Sequence, residues 1–434
     1  MDSQRLEISR VFHRFGFGPK PGEFAQAIKK GVTASRKIVA DNGQLSNQSQ
    51  TIADLNLADL GNRPAPNSAG VIEFATNLRN QSEELLLWWL DKMVISQSPL
   101  LERMTWFWHG HWATSIDKVT YPLPMYKQNM TLRTHALGSF KEMSKAMVQD
   151  TALQYWLDGQ ENTAKKPNEN LGRELMELFT LGVNRYTEDD VKAIARTLTG
   201  YQIKLSAGTL TFNPSRYDYS HVSLLDTVAI FHAPAVSDFL VARDDCATFI
   251  AERIWYRFIS STEPMTTGFK TSFKKSFSKR NIKSAVGVAM ADPVMRNPKY
   301  GMVKSPVEWF VGACRALEVK PSNLTTPAKL KTYLSKMGQI PFAPPSVGGW
   351  PAGEAWLTSA SAQYRVEFAQ WLIKQSALQP INQMPVEKRI QATADWLGVV
   401  SWSERTKVAL GQTVADPAAL ALVGLCSPEY IISA

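Results

Sequence analysis

The segment from residue 166 to 182, "KPNENLGRELMELFTLG", sets three carboxylates, an arginine and two asparagines into a stretch otherwise made of residues that bury. On a helical wheel of roughly 100° per residue, Asn170, Arg173 and Glu174 fall within about 60° of Glu177, and Glu169 about 80° away. Leu171, Leu175, Leu178 and Phe179 fall on the opposite side. Arg173 with Glu177, and Asn170 with Glu174, are i, i+4 pairs. Glu174 and Glu177 stand one turn apart, so their carboxylates are close. Two carboxylates in a cleft repel, which raises the pKa of one and suits it to general acid or base work. A cation between them serves equally well. The plainer alternative is a solvated face with intrahelical pairs, although no lysine occurs between 167 and 191.

A second concentration is "ERMTWFWHGHWATS" (102–115), with the only HxH of the chain at His109 and His111. On a helix these two side chains point about 160° apart and cannot share one metal. A chain that leaves the helix at Gly110 lets them converge as ligands or proton carriers. A pair of histidines among four aromatics is also what a hydrogen-bonded aromatic core contains. The expected arrangement is a cleft between the 168–181 helix and the 109–111 turn. The candidate ligands for a divalent metal there are His109, His111, Glu174 and Glu177.

The elements that must hold these groups are helical. "SEELLLWWLDKMV" (82–94), "LGSFKEMSKAMV" (137–148), "EDDVKAIARTLTG" (188–200), "CATFIAERIWYRFI" (246–259) and "SPVEWFVGACRALE" (305–318) repeat apolar residues at three- and four-residue steps. Thr187 with Asp190 reads as a capping box. "GTLTFNP" followed by "RYDYSHVSLL" (208–225) is the best strand signal and predicts a small hairpin. The 41–70 region is a polar, turn-rich connector, and "RFGFGPKPGE" (14–23) reads as a turn between helices. "PPSVGGWPAGEAW" (344–356) is a rigid loop whose Trp350 either plugs the core or stacks on a ring of a ligand. The fold class is therefore mainly α: one large helical domain over residues 1–434 with a β excursion near 208–225.

Composition bounds the partners. The 434 residues carry a net charge of +9 and 44% hydrophobic residues, an ordinary globular balance. The densest basic run, "KTSFKKSFSKR" (270–280), places Phe269, Phe273 and Phe277 on one helical face and the cations on the other. It matches no nucleic-acid motif, and no nucleic-acid partner is expected. Cys246, Cys314 and Cys426 are too far apart in sequence for a metal or disulfide framework and read as buried thiols. The N-terminus lacks the apolar core of a signal peptide, and no run of 18 apolar residues exists. The expectation is a soluble chain without a membrane span, cytoplasmic or exported with its leader removed.

Taken together, "HRFGFGPKPGE", "WWLDKM", "ERMTWFWHGHWATS", "DTALQYWLDG", "PNENLGRELMELFTLGVNRYTEDDV", "ARTLTGY", "KSPVEWFVGACRAL" and "PPSVGGWP" resemble, in order and spacing, the bacterial domain-of-unknown-function family 1800. The resemblance implies a mainly α-helical fold. It implies export for many members and a sulfatase- or phosphatase-like partner protein encoded nearby. It implies no reaction. Carried over by position, the family-pattern residues are His109, His111, Asp158, Asn162, Asn168, Glu169, Asn170, Arg173, Glu174 and Glu177. One block departs: where members show HDxGxK, this chain has "YDYSHV" (217–222). Asp218 is kept, Tyr217 stands for the His, Ser220 for the Gly and Val222 for the Lys, with His221 nearby. Two functions follow as expectations. One is a hydrolase or transferase acting on an extracellular polymer or its precursor, with Glu174, Glu177, Arg173, His109 and His111 as its machinery. The other is a non-catalytic partner or scaffold that docks the sulfatase- or phosphatase-like protein.

Overall fold

The computed structural model describes residues 2–41 and 52–433, so the expected connector over 41–70 is described from Ile52 onward and its first part lies outside the described residues. The architecture is mainly α, with three two-stranded antiparallel sheets among the described residues. No described helix is long and apolar enough to cross a membrane. The turn expected at 14–23 is present between helices Ser3–Gly16 and Glu23–Lys30, with Phe17 in the left-handed region at φ 63°. The capping box predicted at Thr187 and Asp190 opens helix Glu188–Thr197. Phe269, Phe273 and Phe277 are buried, and the basic residues around them face outward or sideways. Cys246 and Cys314 are buried and all three thiols are free.

The β excursion differs from the expected pairing. The 209–212 strand does not turn onto the segment after it but back onto Tyr201–Lys204, with Tyr201 opposite Phe212. Val222–Leu224 then pairs forward with Thr227–Ala229. The turns decide this. Residues 205–208 close the first hairpin, with Gly208 at φ 56°, and Leu225 and Asp226 both take positive φ in a two-residue loop that closes the second.

Two hydrophobic clusters fill the interior, and helix Pro99–His111 lies between them. Met104, Phe107 and Trp108 join the first cluster, and Trp106 joins the second. Eleven of the helix's thirteen residues are buried, so it has no polar side to turn to water. Its charges are met by distant segments instead. Glu102 pairs with Arg133. Arg103 reaches Glu308 at 2.5 Å, donates through Nε to the Arg14 carbonyl at 3.0 Å and lies over the Phe258 ring.

Further buried arginines make their hydrogen bonds mainly to backbone carbonyls. Arg10 donates to the carbonyls of Val294, Met295 and Asn297. Arg14 donates to those of Ile259, Tyr300 and Ser433, and Arg315 to those of Gly18 and Val94. Several of these oxygens lie at helix ends, where the last turn leaves carbonyls without an intrahelical partner. A guanidinium with five donors supplies what those carbonyls lack and ties segments far apart in sequence.

Removing one side of a buried pair strands the other. Arg103→Met should therefore lower stability by about 3–5 kcal/mol, because the Glu308 Oε1 and the Arg14 carbonyl both lose the guanidinium. Urea unfolding measures this; a loss below about 1 kcal/mol, the level of a surface pair, would show that the contact is dispensable.

Candidate functional site

The first part of the polar segment is held by asparagine chemistry. Asn162 is buried; its amide donates to the Ala195 carbonyl at 2.8 Å and its oxygen accepts the Asn168 N–H at 2.9 Å. Asn168 then accepts the N–H of Asn170 two residues on, a local turn that leads into helix Asn170–Glu174. Asn170 donates to Asp158 at 3.3 Å, and Asp158 pairs with Lys118 at 2.6 Å. Gly172 is required by closeness: a Cβ there would sit 2.7 Å from Ile194 Cγ2, where helix Glu188–Thr197 packs across.

After Glu174 the backbone widens into a π-helix, Leu175–Thr180. This overturns the wheel reading of Arg173 with Glu177. The extra residue in the turn displaces Glu177 from its α-helical angle, and it accepts a hydrogen bond from the Tyr186 hydroxyl. Arg173 instead pairs with Glu188 at 2.7 Å and with Glu169 at 3.2 Å. Those charge-assisted bonds hold its guanidinium more firmly protonated than usual. Glu174 is half-buried, and its carboxyl is raised by desolvation and then by the charge of Glu177, so the two carboxylates are neighbours as the spacing predicts. The face is partly exposed rather than dry.

The histidines lie elsewhere. Gly110 does not end the helix, which runs through His111, so the two rings point apart. His109 faces the second cluster, against Trp89, Phe342 and Trp350, and its Nε2 accepts the Phe342 N–H at 3.1 Å. His111 faces the first cluster, and its Nε2 meets the Phe179 carbonyl at 3.0 Å. An N–H can only donate and a carbonyl can only accept. His109 is therefore the Nδ1–H tautomer and His111 the Nε2–H tautomer. Burial pushes both rings down to about 3, with the charge of Arg253 adding to the effect at His111. Of the two histidines, His111 meets the 168–181 segment, through the Phe179 backbone, while His109 is bonded to Phe342. The carboxylates of the polar face take no part in that contact, which is made by a backbone carbonyl.

Trp350 plugs the core. It stacks on Trp106 at 5.0 Å, and Arg257 donates to the carbonyls of Trp350 and Pro351. Its loop fits only because residue 349 is glycine. That residue has φ 79°, and a Cβ on it would stand 2.3 Å from the Gly110 carbonyl oxygen. Beneath lies a cavity of about 40 Å3, bordered by Arg103, Arg257, Glu308 and Gln339, with room for ordered water rather than a substrate. Sequence reasoning missed this polar group. The Ser305 and Glu308 capping pattern in "KSPVEWF" was its one visible sign.

A family model described as "Protein of unknown function (DUF1800)" matches residues 10–432. The chain belongs to the DUF1800 family. Neither the curated proteins nor the solved structures gave a match.

In the block 217–222, where this DUF1800 chain departs from its family's pattern, Tyr217 and Val222 are packed inward while Tyr219, Ser220 and His221 are exposed. Tyr217 is buried, stacks on His232 at 4.8 Å and donates to the Phe231 carbonyl at 2.6 Å. Val222 is buried in the second hairpin and His221 is exposed. Asp218 accepts from Arg196 Nε at 2.7 Å, and that bond holds its carboxyl down to about 2. Among the described residues no group of three or more His, Cys, Asp or Glu is placed to hold a metal ion. His109 and His111 point into opposite clusters and Glu177 is bonded to Tyr186, so these residues do not converge on one divalent cation.

Neutral buried imidazoles make the DUF1800 chain sensitive to acid. Below pH 6.5 the unfolded histidines bind a proton that the folded ones refuse until about pH 3. Stability should fall with pH across that window by up to about 1.4 kcal/mol per pH unit for each ring. Imidazole resonances of His109 and His111 should stay at their neutral positions from pH 8 to pH 5. A midpoint near 6.5 for either ring would contradict its burial and its tautomer.

Proposed function

We propose that this chain acts as a non-catalytic partner that docks a folded protein on the face formed by residues 158–230. The observation that carries this reading is the set of exposed apolar side chains on the β excursion. Phe212, Tyr219, Val228 and Ile230 are all solvent-exposed there, Tyr219 at 57% and Val228 at 69%, and Val183 is exposed at the exit of the π-helix. Exposed apolar side chains grouped beside a polar border are what docking surfaces have and isolated surface residues lack.

The border is the polar segment itself. Arg216 donates to the Gln160 carbonyl at 2.5 Å, Arg196 holds Asp218, and the Leu225 N–H binds Asp190 at 2.7 Å. These bonds sew the excursion to helix Glu188–Thr197 and to the turn before the polar helix, so the surface is preorganised. The side chains of Asn162, Asn170, Arg173, Glu177 and Asp218 each have a partner within the chain, which suits a rigid recognition surface. The partner we propose is the sulfatase- or phosphatase-like protein that the family resemblance implies.

One feature favours the hydrolase or transferase reading. The half-buried Glu174, with its raised carboxyl beside Glu177, has the environment of a general acid. A single set of variants separates the two. Val228→Glu with Tyr219→Ser should weaken binding to the co-expressed sulfatase- or phosphatase-like protein at least about tenfold, as loss of an interface anchor does. Its thermal midpoint should stay at the wild-type value. Glu174→Gln should bind that protein as wild type does. If the chain hydrolyses chromogenic phosphate, sulfate, ester or glycoside substrates and Glu174→Gln removes that activity, the catalytic reading replaces the docking one.

A further inference from the structure

The long helix Val71–Ile95 and the helix Pro327–Lys336 do not close on each other along their outer halves. Between them runs a groove of about 570 Å3, within the range of ligand pockets at ~300–1,000 Å3. Its floor is aliphatic, with Leu78, Leu86 and Leu87 from one side and Ile340 from the other. Past Leu86 and Ser335 lies a recess of about 250 Å3 walled by Ile116, Pro341 and the buried Phe342, with Asp117 and Lys331 also on its wall.

The rim is cationic. Arg79, Lys331 and Lys336 stand along it, against one acid, Glu83. Among the described residues no carboxylate pairs with any of these three cations. The other basic residues on the same two helices have partners: Lys92 has Asp54 and the Trp88 ring, and Lys329 has the rings of Tyr333 and Trp371. An apolar trough under three uncommitted cations calls for a ligand with an aliphatic body and an anionic end. The recess decides its size. A helix with side chains is about 10–12 Å across, and the recess volume of about 250 Å3 matches the bulk of an alkyl chain better.

We propose that this groove binds a free medium- or long-chain fatty-acid anion, its chain along Leu78 and Leu86 into the recess and its carboxylate at Lys331 with Arg79 or Lys336. The inference stands apart from the docking face on residues 158–230. Arg79, Lys331 and Lys336 are exposed and Leu78 and Leu87 are half-buried, so the site is reachable in the folded chain.

The probe is dansyl-undecanoate, whose fluorescence rises on entering an apolar site. Full-length protein should give a saturable rise that laurate reverses. Dodecanol, with the same tail and no charge, should compete at least about tenfold less well, the loss expected when a charge-assisted bond is missing. Lys331→Glu with Lys336→Glu should weaken the probe about tenfold or more. Ala75→Trp, which fills the groove from an exposed position, should abolish binding. Both variants change exposed positions and should melt as wild type does; should one fail to fold, the other still decides. The assignment is overturned by an absent or non-saturable signal, or by binding that neither variant alters. It is overturned equally if an acidic amphipathic peptide displaces the probe and laurate does not, since the groove then takes a partner helix.

Discussion

The helix Pro99–His111 carries a glutamate, an arginine and two histidines while packed between two hydrophobic clusters. Leaving any of these groups without a partner in that surrounding costs more than most single contacts contribute. The neighbouring structure answers group by group. Arg133 approaches Glu102, the Glu308 carboxylate approaches Arg103, the loop at Phe342 offers its N–H to His109, and the end of the π-helix offers the Phe179 carbonyl to His111. Four segments separated widely in sequence are thus fixed to one rod by polar contacts inside an apolar core. Such contacts add little net energy but penalise alternatives, because a shifted segment leaves a buried group unsatisfied.

The same logic extends to the arginines that donate to carbonyls. The chain has more basic than acidic residues, 48 against 39, and Arg10, Arg14, Arg315 and Arg365 are spent inside rather than on the surface. Burial lowers the pKa of each, Arg10 and Arg365 to about 10, which still leaves them charged at neutral pH. Part of the basic balance therefore reflects internal construction and is not a signal of an anionic polymer as partner. Lys304 shows the limit of this device. Its amine is buried over the Tyr430 ring without a hydrogen-bond partner, and its pKa is driven far down by desolvation. An ammonium cannot spread its charge across several carbonyls as a guanidinium does.

The polar segment owes its character to two different demands. Its first residues, Asn162, Asn168 and Asn170, build a turn whose backbone groups need side-chain partners. Its later residues, from Arg173 to Glu177, lie on a half-open face and pair outward, toward Glu188 and Tyr186. The π-turn at Leu175–Thr180 buries Met176 and Phe179 and brings the Phe179 carbonyl to His111, while the carboxylates stay outside. The two conspicuous motifs are thus neighbours through a backbone atom, an arrangement that serves folding as directly as chemistry.

Much of the fold was legible in residue order. Apolar repeats at three and four residues located the helices, Thr187 and Asp190 marked a start, Phe269 and Phe273 marked a buried face, and a tryptophan under a Gly-Pro loop marked a plug. These are local properties: the angle of a side chain about its own helix follows from spacing alone. The tertiary structure alone decided which way His109 and His111 turn, that Glu177 answers Tyr186 and not Arg173, and that residues 209–212 pair backward to Tyr201–Lys204. It also decided where each buried arginine ends. Every residue carries the same carbonyl, so sequence can show that a guanidinium needs acceptors but not which ones will be left free at the end of a helix and close enough to reach.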